Sequence, residues 1–311
     1  MIRPRLSKVA SGTRLTTDLV NDIINRTEYA SDLLRQYKLT AGNGMYVEPH
    51  YDGTRVSYLQ PVAGGATPTQ PISPAFRVVG SCTIGGVFTG FVYDNGSYTT
   101  FMVPGSTLTQ LLGIQGSIAC GYATIGGAAK GFITDLSEIN FISDCQQVWD
   151  IDGENFVGVS GGGTNFVFTN GSRIIPAYPG HTVNLFALSG SLAVGRATKA
   201  GAPPKTYGLI FNGSTSEIYD FGAPEITEFR GIDGTKISGR NIDGGFIYDG
   251  STIQEIRFPG AGRTEAYKIY GTNVVGIYTV SSQERGFLYN GSTYTDIFVP
   301  GSTRTIAFGI G

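Results

Sequence analysis

The chain has 311 residues, a formal net charge of −2 and only 15% charged residues, long enough for one large core plus a smaller module. So few Lys and Arg argue against nucleic-acid binding and against docking on anionic membranes, which both need clustered cations. No apolar run is long enough to cross a bilayer, and the first 17 residues lack the apolar core of a secretory signal.

In chain order, the first 14 residues form an arm with Arg3, Arg5, Lys8 and Arg14 and no acid. The stretch 16–39 is predicted as a helix. Thr16 or Thr17 supplies the N-cap, and Asp18 sits in the first turn where its charge suits the helix dipole. Val20, Ile23, Thr27, Ala30, Leu34 and Tyr37 recur at spacings of three and four, and Leu19, Ile24 and Leu33 widen the apolar face. Leu19, Val20, Ile23, Ile24, Leu33, Leu34 and Tyr37 are therefore the candidate partner-docking residues, on another chain or on copies of this one; packing on the chain's own body is the other reading. Ala41-Gly42-Asn43-Gly44 stops the helix. A hairpin is predicted over 45–59 around Asp52-Gly53, closing a module of residues 1–60; residues 61–74, rich in Pro, Gly, Ala and Thr, read as a linker.

Residues 75–311 are repetitive. An apolar anchor recurs at Val78, Ile114, Ile151, Leu188, Ile232, Ile269 and Ile310, 36–44 residues apart. Glycine follows each of the first six at plus two (Gly80, Gly116, Gly153, Gly190, Gly234, Gly271) and plus seven (Gly85, Gly121, Gly158, Gly195, Gly239, Gly276). Apolar runs end in Asn-Gly or Asp-Gly, as in Phe91-Val92-Tyr93-Asp94-Asn95-Gly96 and Phe246-Ile247-Tyr248-Asp249-Gly250, a strong hairpin signal. Further strands such as 252–258 and 294–299 end at Pro-Gly turns. A unit of about 40 residues made of four short strands is the pattern of a propeller blade. The expected fold is all-β: a six-bladed β-propeller over 75–311 with an N-terminal helix and short hairpin. The final segment 305–311 matches only the start of a unit. It completes either the first blade, giving six, or a composite seventh with residues 45–62.

Chemistry is sparse. The two histidines, His50 and His181, lie in different regions, and no Cys/His spacing fits zinc. Cys82, Cys120 and Cys145 read as small buried hydrophobes in a chain made in a reducing cytoplasm. Asp150-Ile151-Asp152-Gly153-Glu154-Asn155 is the nearest thing to a calcium loop, but Ile151 and Gly153 already belong to the repeat. No metal, cofactor or catalytic residue is assigned, and the chain is read as a non-enzyme. Trp149, Phe186 and Tyr267, with Phe76 and Phe308, occupy one equivalent place two residues before an anchor, where other copies have Leu112 and Arg230. They read as wedges between blades or, alternatively, as a ligand face for a sugar or peptide near the channel mouth. In a sugar-active variant of the fold, Asp150, Asp152, Glu154 and Asp243 would be the carboxylates to converge.

The stretch Arg14-Leu15-Thr16-Thr17-Asp18-Leu19-Val20-Asn21-Asp22-Ile23-Ile24-Asn25-Arg26, followed by Gly42-Asn43-Gly44-Met45-Tyr46-Val47-Glu48-Pro49 and Asp52-Gly53-Thr54-Arg55-Val56-Ser57-Tyr58, resembles the N-terminal module of tailed-bacteriophage virion structural proteins. The repeats resemble bacterial propeller repeats of the form Gly-Phe-x-Tyr-Asn/Asp-Gly. Together these resemblances imply a virion protein, synthesised in the host cytoplasm. Its N-terminal module would mount on a capsid, portal or tail protein, in several copies. Its propeller would be displayed for host-surface contact with a glycan or receptor, or would serve as a purely structural head–tail or tail-tip component.

Overall fold

The computed structural model describes residues 45–50, 53–58, 76–201, 204–221 and 226–311. The predicted arm, helix 16–39 and linker, and with them the seven docking residues Leu19, Val20, Ile23, Ile24, Leu33, Leu34 and Tyr37, lie outside the described residues. Chain contacts separate two units, Met1–Ile72 and Ser73–Gly311. In the first, strands Met45–His50 and Gly53–Tyr58 pair antiparallel as a two-stranded sheet, close to the predicted hairpin.

The second unit is a six-bladed β-propeller: six four-stranded antiparallel sheets, with no helix among the described residues. Blades 2 to 6 are contiguous in sequence, over residues 108–141, 145–174, 181–219, 227–256 and 263–297. Blade 1 is composite. Its second, third and outer strands are Arg77–Ile84, Val87–Asp94 and Ser97–Phe101, and its inner strand is the last one of the chain, Arg304–Ile310. This is the six-blade closure. Because the last strand completes blade 1, the seven-blade alternative, in which it would join residues 45–62, does not hold. Closure matters because an open stack of sheets leaves two apolar end faces exposed, whereas a ring leaves none. Val78, Val79 and Leu111 are fully buried by it.

The topology corrects the reading of the repeat frame. Val78 is not an anchor equivalent to Ile114. It lies in the second strand of blade 1, opposite Ile310, which is the true anchor. Gly80 corresponds to Gly121, and Gly85 to the turn residue Gly126. Blades 1 and 2 place glycines five residues apart in two successive positions, so the frame fits one step out of phase.

Two different constraints underlie the two glycine series. At plus two, Gly116, Gly153, Gly190, Gly234 and Gly271 have φ between +57° and +68° in the turn after the inner strand, a region costly to other residues. At plus seven the constraint is space: a Cβ on Gly121, Gly195 or Gly276 would overlap the carbonyl oxygen of Gln110, Asn184 or Glu265 on the inner strand. The Pro-Gly turns are type II, with glycine at φ +76°, +72°, +76° and +78° (Gly105, Gly180, Gly260, Gly301) and closing bonds such as Ser302 N to Val299 O, 3.1 Å. The Asn-Gly turns split into two kinds. Asn95-Gly96 and Asn170-Gly171 both take positive φ, as in tight two-residue hairpins. Asn212, Asp249 and Asn290 instead accept backbone N–H bonds from the residues two and three further on. Blade 2, whose turn departs from the repeat, reaches the same end with Asp135, which accepts from Ser137 and Glu138.

Candidate functional site at the axial mouth

All six inner strands carry a β-bulge at the same place. The register slips between Leu111 and Gly113, Val148 and Asp150, Leu185 and Ala187, Phe229 and Gly231, Ala266 and Lys268, and Ala307 and Gly309. A bulge leaves one residue unpaired and re-aims its side chain. The six unpaired residues are Leu112, Trp149, Phe186, Arg230, Tyr267 and Phe308, one per blade, and they line a common cavity of about 20 Å³ on the propeller axis. Tyr267 stacks on Phe308 with ring centroids 5.5 Å apart, and Trp149 meets Phe186 edge-on at 5.4 Å. The Arg230 guanidinium lies between two rings, 4.5 Å from Phe186 and 5.2 Å from Tyr267. These residues therefore line the axis, and Trp149 also packs on the core between blades 3 and 4, as the wedge reading expects. Phe76 is not among them: it precedes the second strand of blade 1 and packs on the core between blades 1 and 6.

Just after the bulge stand Gly113, Asp150, Ala187, Gly231, Lys268 and Gly309. The four small residues leave room for Asp150 and Lys268, on opposite blades 3 and 6, to form an ion pair. Asp150 also accepts from the Leu188 backbone N–H at 2.9 Å. Burial pushes the Asp150 carboxyl up, against the pull of Lys268.

Two residues before the bulge, Gln110, Gln147, Asn184, Glu228 and Glu265 are polar and blade 1 has Ile306. Glu228 is fully buried, and three guanidiniums reach it: Arg196, Arg230 and Arg240. Burial alone would raise its carboxyl, but the guanidiniums, Arg230 foremost, override this and hold it below its ordinary value. Arg240 continues to Glu265 at 2.8 Å, which also accepts from the Tyr267 hydroxyl at 2.9 Å. Burial, reinforced by Glu265, holds that phenol well above its ordinary value.

On this side the axis opens into a pocket of about 330 Å³ over blades 3 and 4. Trp149 and Phe186 form its aromatic wall. Gln147, Asn165 and Asn184 supply amides, Arg196 and Arg230 guanidiniums, and Gly163 part of the rim. Of the predicted ligand-face residues, Trp149 and Phe186 come together here, while Tyr267 lies further round the axis, beyond Arg230. Gln147, Asn165, Asn184 and Arg196 escape sequence reasoning. Asn165 did leave a trace: it stands where blades 1, 2, 4, 5 and 6 have Gly90, Gly131, Gly208, Gly245 and Gly286. There glycine lets the next blade approach; in blade 3 the amide instead accepts from Leu185 N of blade 4 at 3.1 Å.

The four carboxylates considered for sugar chemistry do not converge. Asp150 is paired on the axis. Asp152, at the far end of the inner strand, accepts from Gln115 at 2.7 Å and Gly190 N at 2.6 Å. Glu154 is exposed in the following turn, and Asp243 is exposed in a turn of blade 5. The three cysteines are free and buried, and no acidic, His or Cys cluster suited to a metal occurs among the described residues.

No known protein family and no curated protein matches the chain. Among solved structures it is similar to TolB from Acinetobacter baumannii, at 12% identity and a TM-score of 0.54, over 75% of this chain and 66% of that one. The β-propeller domain of the Trilobed protease from Pyrococcus furiosus, described as having an open velcro topology, aligns at 12% identity and 0.44 over 72% and 81%. A lectin from Aleuria aurantia in complex with alpha-methyl-L-fucoside aligns at 13% identity and 0.42 over 74% and 96%. The chain thus spans about two thirds of the TolB chain, and the likeness establishes the propeller fold alone.

Proposed function

We propose that this chain is a non-enzymatic virion structural protein of a tailed bacteriophage. Residues 1–60 dock on a capsid, portal or tail protein, and the propeller is displayed so that its axial mouth contacts a saccharide on the host surface. The observation that carries the binding half is the 330 Å³ pocket, where an aromatic wall of Trp149 and Phe186 faces the amides of Gln147, Asn165 and Asn184. Aromatic faces stack on the apolar faces of sugar rings, and amides pair with hydroxyls in both directions. The polar, largely uncharged turns at the blade rims suit crowded contact on a particle. Several copies on one particle turn weak contacts into firm attachment.

Two experiments test this reading. Full-length protein is screened on an array of bacterial surface saccharides beside Trp149→Ala; the expected result is a set of bound glycans lost in the variant, and an array without binding refutes the contact role. A chain lacking residues 1–44 is offered to assembling particles; incorporation at the full-length level refutes the docking role.

A further inference from the structure

The balance of charge in the pocket narrows the class of saccharide. This step rests on the saccharide-binding reading above. Two guanidiniums line the pocket and no carboxylate does, because Glu228, which pairs with both, is fully buried beneath them. Solvent therefore meets a cationic wall over a hidden counter-charge. The count behind the wall also leaves a surplus: four guanidiniums (Arg196, Arg230, Arg240, Arg263) are paired with two carboxylates (Glu228, Glu265), an excess of two positive charges.

The donors are only partly used. Arg196 gives Nη1 to Glu228 at 3.0 Å and Nε to Asn184 at 3.2 Å, and its Nη2 makes no hydrogen bond among the described residues. Arg230 gives Nη2 to Glu228 at 3.1 Å; its Nε is buried and closed to a ligand, while its Nη1 makes no hydrogen bond among the described residues and is the donor left for one. Both groups are held in place before any ligand arrives. Phe186 has the Arg230 guanidinium 4.5 Å and the Arg196 guanidinium 5.7 Å from its ring centre, and Glu228 anchors each from below. A planar fork with spare N–H groups fits a planar carboxylate, and pre-positioned cations lose little freedom on binding.

We infer that the axial pocket binds a carboxylate-bearing saccharide, a sugar acid, with its carboxylate on Arg196 and Arg230 and its ring against Trp149 and Phe186. The carboxylate supplies the charge that the buried Glu228 leaves unbalanced, and the amides take ring hydroxyls.

The test is calorimetric titration of the full-length protein with two matched pairs of probes. One pair is oligogalacturonate and its methyl ester; the other is 3′-sialyllactose and lactose. At least one acid is expected to bind ten-fold or more tightly than its neutral partner, with the gap shrinking as salt rises. Arg196→Gln is expected to abolish that preference while keeping residual neutral-sugar binding, and Arg196→Lys to restore only part of it. Circular dichroism and melting confirm that each variant folds. Equal affinity for acid and neutral partners overturns the inference and leaves the saccharide reading standing. Binding of acetate, a carboxylate without a sugar ring, as tightly as the acids overturns it too, by showing an unspecific anion hole. Absence of binding by every probe together with an empty glycan array removes both readings.

Discussion

The cross-axis pair of Asp150 and Lys268 makes the sharpest expectation about stability. The two residues are 118 positions apart, on opposite blades, with side chains 2% and 11% exposed. Lys268→Met removes the cation but keeps the length of the side chain. It leaves Asp150 buried, with, among the described residues, the Leu188 N–H donating to Oδ2 and no donor to Oδ1. Breaking a buried pair by removing one partner typically costs about 3–5 kcal/mol. For a propeller of this size each kcal/mol lowers the melting temperature by roughly 2–4 °C, so the expected fall is on the order of 10 °C. The double variant Asp150→Asn/Lys268→Met removes both charges and retains the shape, and is expected to recover most of that loss. The pH dependence has a definite sign. A buried carboxyl raised above its ordinary value favours the folded state at low pH and penalises it as pH rises through the folded value. Without Lys268 that rise grows, so the deficit of the single variant should be larger at pH 8 than at pH 5. Thermal melts by circular dichroism across this range are the assay. A single variant within about 1 kcal/mol of the parent, or a double variant as damaged as the single, would refute the argument.

Three other outcomes are expected. Gly195→Ala forces a Cβ into the Asn184 carbonyl and should cost about 1–3 kcal/mol, whereas Gly162→Ala, in the open loop of blade 3, should change stability by less than about 0.5 kcal/mol in urea denaturation. Glu228 carries the opposite pH sign from Asp150: its depressed value stabilises the fold above the ordinary carboxylate range and is lost as pH falls through the folded value. Acid unfolding of Glu228→Gln should therefore show a flatter limb than the parent, on top of a loss of several kcal/mol at neutral pH. Deleting residues 304–311 removes the inner strand of blade 1 and with it Ile306, Ala307 and Ile310, all buried; limited proteolysis should then cut blades 1 and 6 before the others, and an unchanged digest would mean that ring closure is not what holds them.

Much of the fold was legible because its signals are local. Asn-Gly, Asp-Gly and Pro-Gly mark turns through the φ values they allow, and the structure bears them out at Asn95-Gly96, Gly105 and Gly301. The blade period was legible for the same reason, since each copy repeats the same turn chemistry. The phase of the first copy was not. Val78 and Ile114 share a glycine spacing, and only the pairing of Ile310 with Val78 shows that they belong to different strands. The site was half legible. Trp149 and Phe186 stood out as aromatics at an equivalent place, but a bulge, which sequence does not announce, decides whether that place faces a neighbouring blade or the axis.

By itself the sequence determined the strands, the turns, the existence of a repeat and the odd residues at equivalent positions, because each follows from the conformational limits of residues close together in the chain. Only the tertiary structure decided that the last strand closes the first blade, that Asp150 meets Lys268 across the axis, and that Arg196 joins Arg230 beside Trp149 and Phe186 over a buried Glu228. Those pairings depend on ring closure, which brings together residues that share no periodicity and no local spacing.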